Sequence, residues 1–213
     1  MSHRLRRLLP ALALILAAAS PALAAEKVVE IGKAFPFLKG YLELAPAERS
    51  HFTMAYYLKL GSQPLTASVW IVEGERRTPL PLGPMGKVPR LPSLAQLAEA
   101  KLAIGVDPAT KINTVLGVEP TLAPAADLDA RELAAAIAQA AVGEKKAAGI
   151  MAMAMPKLSN VGFVGVPSGE VEFADGHRAP LPTVKGVLTY DPAAQPNARR
   201  IHLPKVPDKL DIN

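Results

Sequence analysis

Twenty-one prolines, spread along the chain and not gathered in one segment, limit what this sequence can fold into. Proline lacks an N–H and clashes with the preceding helical turn, so a helix interior excludes it. Here the prolines fall mostly between short apolar runs. That texture predicts a strand-rich domain with many turns and argues against a helical bundle.

The first 24 residues read as an address. His3, Arg4, Arg6 and Arg7 make a basic start, and Leu8 to Ala19 is almost wholly apolar. Ser20-Pro21 breaks the run, and Ala22-Leu23-Ala24 supplies the small residues a signal peptidase needs. We expect a Sec-type signal peptide over residues 1–24, cleavage after Ala24, and a periplasmic protein that is soluble once processed. The run from Leu8 to Ala24 is short for a span of about 20 residues and carries two prolines, which argues against an uncleaved anchor.

Residues 25–213 suffice for one large domain or two small ones, and a chain of this size buries about 70% of its unfolded surface. The chain has no cysteine. Disulfides, thiol nucleophiles, Cys-ligated zinc and a lipidated N-terminal Cys are therefore excluded, although export would permit disulfides. The net charge of +5 includes Arg4, Arg6 and Arg7 of the leader, so the remainder is nearly neutral. Its charges are interspersed and no aromatic ladder accompanies them, so no nucleic acid partner is expected.

Phe52 to Leu60 alternates, with Phe52, Met54, Tyr56, Leu58 and Leu60 on one face, as a half-buried strand does. Gly61-Ser62-Gln63-Pro64 turns the chain into a second strand, Ala67 to Glu73, which holds Trp70. Pro79 and Pro81 place Thr78 to Leu82 at an edge or in a loop. Ser93 to Ala100 reads as a short helix, and Lys101 to Val106 and Ile112 to Val118 as strands. Asp129 and Glu132 suit a capping-box-like helix start, and the alanine-rich helix runs to about Ala148 with Leu133, Ile137, Ala140 and Ala141 on one stripe.

The second half echoes the first. Ala152 to Leu158 lines up with Met54 to Leu60 at a shift of 98, as do Ala198-Arg199 with Ala100-Lys101, and Lys209 to Ile212 with Lys111 to Thr114. Gly176 to Pro182 echoes Gly74 to Pro81 through Pro-Leu-Pro, with a local insertion. We expect an α+β, β-rich fold: an internally duplicated, β-sandwich-like domain with one Ala-rich helix packed on it. Residues 25–120 would form the first β-rich repeat and residues 121–213 the helix plus the second repeat, as one compact unit.

Few residues of the sequence are spaced for chemistry. His51, His177 and His202 are the histidines after the leader, and none lies within three or four residues of another, so no metal site is expected. Gly165-Val166-Pro167-Ser168-Gly169 puts its serine fourth, where a nucleophile elbow puts it third, and reads as a turn. Phosphate loops and calcium loops are absent from the sequence, and Asp107 and Asp175 suit turns. No cofactor and no catalytic residue is assigned. Glu43, Glu48, Glu73, Glu170 and Glu172 are available to a hydrolase only if folding pairs them.

Phe35, Phe37, Tyr41, Phe52, Tyr56, Tyr57 and Trp70 concentrate the aromatic residues in one stretch. Such rings form either the core of the first half or a recognition surface. For the second reading the candidate ligand-binding residues are Trp70, Tyr57 and Tyr41, with Tyr57 and Trp70 opposite the apolar stripes of their strands.

The run from Phe35-Pro36-Phe37-Leu38-Lys39-Gly40-Tyr41 through Ala45-Pro46-Ala47-Glu48-Arg49-Ser50-His51-Phe52 resembles uncharacterised exported proteins of Gram-negative bacteria. The resemblance extends through the Pro-Leu-Pro segments and implies a periplasmic address, with no activity or site residues attached. The function we expect is a non-enzymatic binding or structural accessory protein contacting an envelope protein or a saccharide. The alternative is a periplasmic hydrolase using carboxylates brought together by the fold. An edge strand left open by either half would offer a route to a homo-oligomer.

Overall fold

A computed structural model describes residues 25–149, 153 and 156–213; the leader read at residues 1–24 lies outside them. The first half runs β1 (Lys27–Glu30), α1 (Ile31–Ala34), α2 (Leu38–Glu43), a 3-10 turn (Pro46–Arg49), β2 (Phe52–Leu60), β3 (Gln63–Pro64), β4 (Val69–Glu73), β5 (Arg76–Pro79), α3 (Leu94–Glu99), β6 (Lys101–Ile104) and β7 (Ile112–Pro120). The second half runs β8 (Asp127–Asp129), α4 (Ala130–Ala148), β9 (Val161–Val164), β10 (Glu170–Phe173), β11 (Arg178–Pro180), β12 (Thr183–Val184), β13 (Val187–Tyr190), β14 (Ala198–His202) and β15 (Lys209–Ile212). Among the described residues the fold is α+β and strand-rich, with four antiparallel sheets and one long helix.

The sheets come in two matching pairs. Sheet I has the order β1-β6-β4-β5, and sheet III has β8-β14-β10-β11. Each joins the opening strand of its half to a hairpin through the penultimate strand. Sheet II, β3-β2-β7, and sheet IV, β12-β13-β9-β15, both pair the strand that follows the helices with the last strand of the half. In both hairpins the Pro-Leu-Pro leucine closes the same bond: Leu80 N–H donates to Val69 O at 2.8 Å, and Leu181 N–H to Gly169 O at 2.9 Å.

The residue alignment differs from the sequence reading in two places. Pairing sets Lys101, opposite Glu30, equivalent to Arg200, opposite Asp129, where the shift of 98 had matched it to Arg199. Met54 to Leu60 finds its counterpart in β9, because the described part of the matched run, Pro156 to Leu158, is not strand. The remainder of that run lies partly outside the described residues.

The insertion falls in the second hairpin. Glu73 pairs directly with Arg76 across a two-residue loop that opens on Gly74, whose φ of 59° suits the first loop position. The β10–β11 loop is longer, with Phe173 N–H donating to His177 O at 3.0 Å. In the first half the chain at Lys87 and Val88 takes the place that β13 holds beside β9. Tyr57 and Lys87 form a bridge there, and Val88 N–H donates to Tyr56 O at 2.8 Å.

One apolar core joins the halves. Asp129 caps α4 by accepting from Arg131 N–H at 2.8 Å, and Leu133, Ala136, Ile137, Ala140 and Gly143 bury the stripe. That stripe packs on β14, α2 and β2. A Cβ on Gly40 would overlap the Ala147 carbonyl, and one on Gly143 would lie 2.5 Å from the Phe52 ring, so glycine sets how closely α2, α4 and β2 approach. Phe35 and Tyr56 meet edge to face at 5.1 Å, a pair contributing about 0.5–1.5 kcal/mol beyond burial. Unlike the half-buried strand expected, β2 is covered on both faces from Met54 to Leu58, because the second half and the chain at residues 83–88 close its other side.

Candidate functional site

Trp70 is placed by alternation along β4. Val69 and Ile71 turn into the core, which sends Trp70 to the outer face of sheet I. There it stands in a cross-strand row, Val28, Ala103, Trp70, Pro79, fixed by the register of β1, β6, β4 and β5. The indole is half-buried, and the Arg77 guanidinium lies over it at 4.7 Å. Arg77 in turn is held by Glu26 at 2.6 Å. The ring lines an open groove of about 550 Å³ between residues 64–70 and 79–86, along with Thr66, Ser68, Pro81 and Met85. The groove offers an aromatic ring, two hydroxyls and a proline wall, a combination suited to shallow recognition.

The other side of the turn at residues 83–87 holds a charged pocket. Met85 also lines this second depression, about 180 Å³, with Tyr57, Lys87, Glu119, Asp208 and Lys209. Met85 adopts a left-handed φ of 58°, a conformation costing a non-glycine residue about 1–2 kcal/mol. Glu119 is 8% exposed and both its oxygens are engaged. Tyr57 O–H donates to Oε1, and Lys87 Nζ donates to Oε2 at 2.5 Å. Burial, and then the bond to Glu119, raises the Tyr57 phenol well above its usual range, so it stays a neutral donor. Lys209 lies 4.9 Å over the Tyr57 ring and 3.0 Å from Asp211. Tyr57, Glu119 and Lys209 come from β2, β7 and β15, at the seam where the last strand of each half lies against the other, and Lys87 comes from the turn at residues 83–87. A carboxylate clamped by two donors is an anchor and not a free base.

Of the three candidates named from the sequence, Trp70 keeps an open face on its groove, whereas Tyr57, expected on the exposed side of its strand, is 3% exposed and borders the charged pocket as a buried residue. Tyr41 is a core residue. Its side chain is buried against Phe52 with ring centroids 5.5 Å apart, and its O–H donates to Phe52 O at 3.3 Å, so it offers no binding face. Phe35, Phe52 and Tyr56 are buried as well, which makes most of the aromatic stretch the core of the first half.

Sequence spacing had left His202 alone, but the register of sheet III puts it between carboxylates. Its Nε2 lies 2.8 Å from Glu172 and its Nδ1 3.4 Å from Asp127. Arg178 holds Glu172 at 2.8 Å, and Arg200 pairs with Asp127. The bond to His202, and then that to Arg178, lowers the Glu172 pKa from 4.5. The network crosses all four strands, so only the pairing order could have revealed it. Of the other sequence-named carboxylates, Glu170 joins this network 3.8 Å from Arg178, and the rest are separate: Glu43 pairs with Lys39, Glu48 with Lys146 and Glu73 with Arg76. Asp107 and Asp175 accept from Ala109 N–H and His177 N–H, the local turns their sequences suit.

No protein-family model matches the chain, and no curated protein or solved structure is significantly similar to it.

Proposed function

We propose that this is a non-enzymatic periplasmic binding protein that takes a saccharide in the groove along Trp70. The observation that carries the reading is the half-buried indole standing on an outer sheet face and lining an open groove of about 550 Å³. Aromatic faces stack on sugar rings, and the flanking Thr66 and Ser68 hydroxyls suit the hydroxyls of a saccharide. The periplasmic address rests on the leader read at residues 1–24.

Trp70 is the chain's only tryptophan, so its fluorescence reports on the groove without labelling. Peptidoglycan fragments and lipopolysaccharide saccharides are titrated against the mature chain, with thermal unfolding in parallel. A ligand at about 100 times its Kd adds about 2.7 kcal/mol of stability. The expected result is a fluorescence change with one saccharide class and a matching rise in Tm, and the rise in Tm, which needs no tryptophan, is lost in Trp70→Ala with its fold intact. Equal binding by Trp70→Ala removes the groove from the function, and no response to any saccharide overturns the ligand class.

A further inference from the structure

We infer that the free edge of β1 is a docking site for an extended, acidic peptide segment of another protein, added as a fifth strand to sheet I. This site is separate from the Trp70 groove, and its test does not depend on that reading.

β1 pairs with β6 on one side. Ile31 N–H donates to Ala100 O at 3.2 Å, which fixes the alternation: Val29 and Lys27 face β6, and Val28 and Glu30 face away. The Glu30 carbonyl serves the first turn of α1. That leaves the N–H and C=O of Val28 and the N–H of Glu30 aimed off the edge, with no backbone partner among the described residues. Val28 is 54% exposed. Unpaired ladder groups of this kind select an incoming chain in extended conformation.

The edge does not open onto flat surface. All four residues of β1 line a cleft of about 650 Å³ that runs between sheets I and II. Ile112 and Ala34 give it a partly exposed apolar wall over the buried Leu58, Leu102 and Ile104, against which alternate side chains of an added strand would pack. Lys27, Lys33 and Lys101 stand on its rim against one carboxylate, Glu30, 2.9 Å from Lys33. The excess of positive charge selects acidic residues at the alternate positions. It also disfavours a second copy, since β1 pairing with β1 would bring two sets of lysines together. The far edges of sheets I and III, β5 and β11, each end in a proline, which cannot donate to an added strand.

The test uses two labelled hexapeptides, one alternating Val or Ile with Asp or Glu and the other with Lys at the acidic positions, read by fluorescence anisotropy. The acidic peptide is expected to bind at least about tenfold more tightly and to weaken as salt rises. Val28→Pro removes an N–H that faces away from β6, so the β1–β6 ladder survives and peptide binding is lost. Lys101→Glu, which leaves the backbone untouched and cancels the excess charge of the cleft, is expected to erase the preference that the unaltered chain shows between the two peptides. Trp70→Ala leaves peptide binding unchanged. Equal affinity for both peptides, or binding indifferent to Val28→Pro and Lys101→Glu, overturns the proposal. So does concentration-dependent dimerisation that Val28→Pro abolishes, because the occupant is then a second copy.

Discussion

Trp70 and Glu170 occupy the same position in two sheets of one strand order. Trp70 sits opposite Ala103 and Pro79, and Glu170 opposite His202 and Pro180. Continued to the opening strand, the first row ends at Val28 and the second at Asp127. Two equivalent outer faces thus differ, one an apolar row with an indole, the other a charged row with a histidine. A common architecture supplies the lattice, and side-chain chemistry alone separates the faces.

Arg77 fixes the indole from above and ties β5 to Glu26. Arg77→Met should change the Trp70 emission, because the ring loses its cation. The cost in stability should be at most about 1 kcal/mol, as expected for an exposed cation–π contact. Emission spectra and urea unfolding of the variant check both parts.

The clamp on Glu119 predicts an asymmetric set of variants. Tyr57→Phe leaves one buried carboxylate oxygen without its donor and should cost about 1–3 kcal/mol. Glu119→Ala in the Tyr57→Phe background should add less than it does alone, since the two residues share one interaction. Chemical denaturation of the double-mutant cycle gives the coupling. Full additivity would show that the phenol does not hold the carboxylate.

Gly143 separates helix propensity from packing. In an exposed helix, glycine to alanine adds about 1 kcal/mol of stability. Here the new methyl meets the Phe52 ring at 2.5 Å, so Gly143→Ala should destabilise by about 1–3 kcal/mol. A raised Tm in differential scanning calorimetry would show that α4 and β2 can part without loss.

Glu172 makes part of the stability depend on acid. Its folded pKa lies below the ordinary 4.5, so its contribution is complete above that pH and lost as pH falls through the folded value. Glu172→Gln should lower Tm by a constant amount above about pH 4.5 and flatten the decline below it. Tm measured from pH 2 to 8 for both chains tests the sign.

Local regularities in the sequence were enough to locate much of the secondary structure. Alternation marked β2 and β4, and the apolar stripe with Asp129 marked α4, because period and capping are short-range properties. The four residues of β1 gave no such signal, being too few to show a period. The repeated Pro-Leu-Pro segments were visible, whereas the alignment of β9 was not, since alanine-rich runs match one another by composition.

By itself, then, the sequence determined a strand-rich chain held without disulfides, with one long amphipathic helix and two similar hairpins. Tertiary structure alone decided that Tyr41 is buried, that Tyr57 clamps Glu119 across β2 and β7, and that His202 lies between Glu172 and Asp127. The reason is physical. Periodicity says which side of a strand a residue is on, but the neighbours on that side are set by strand order and register, which depend on contacts far apart in the chain.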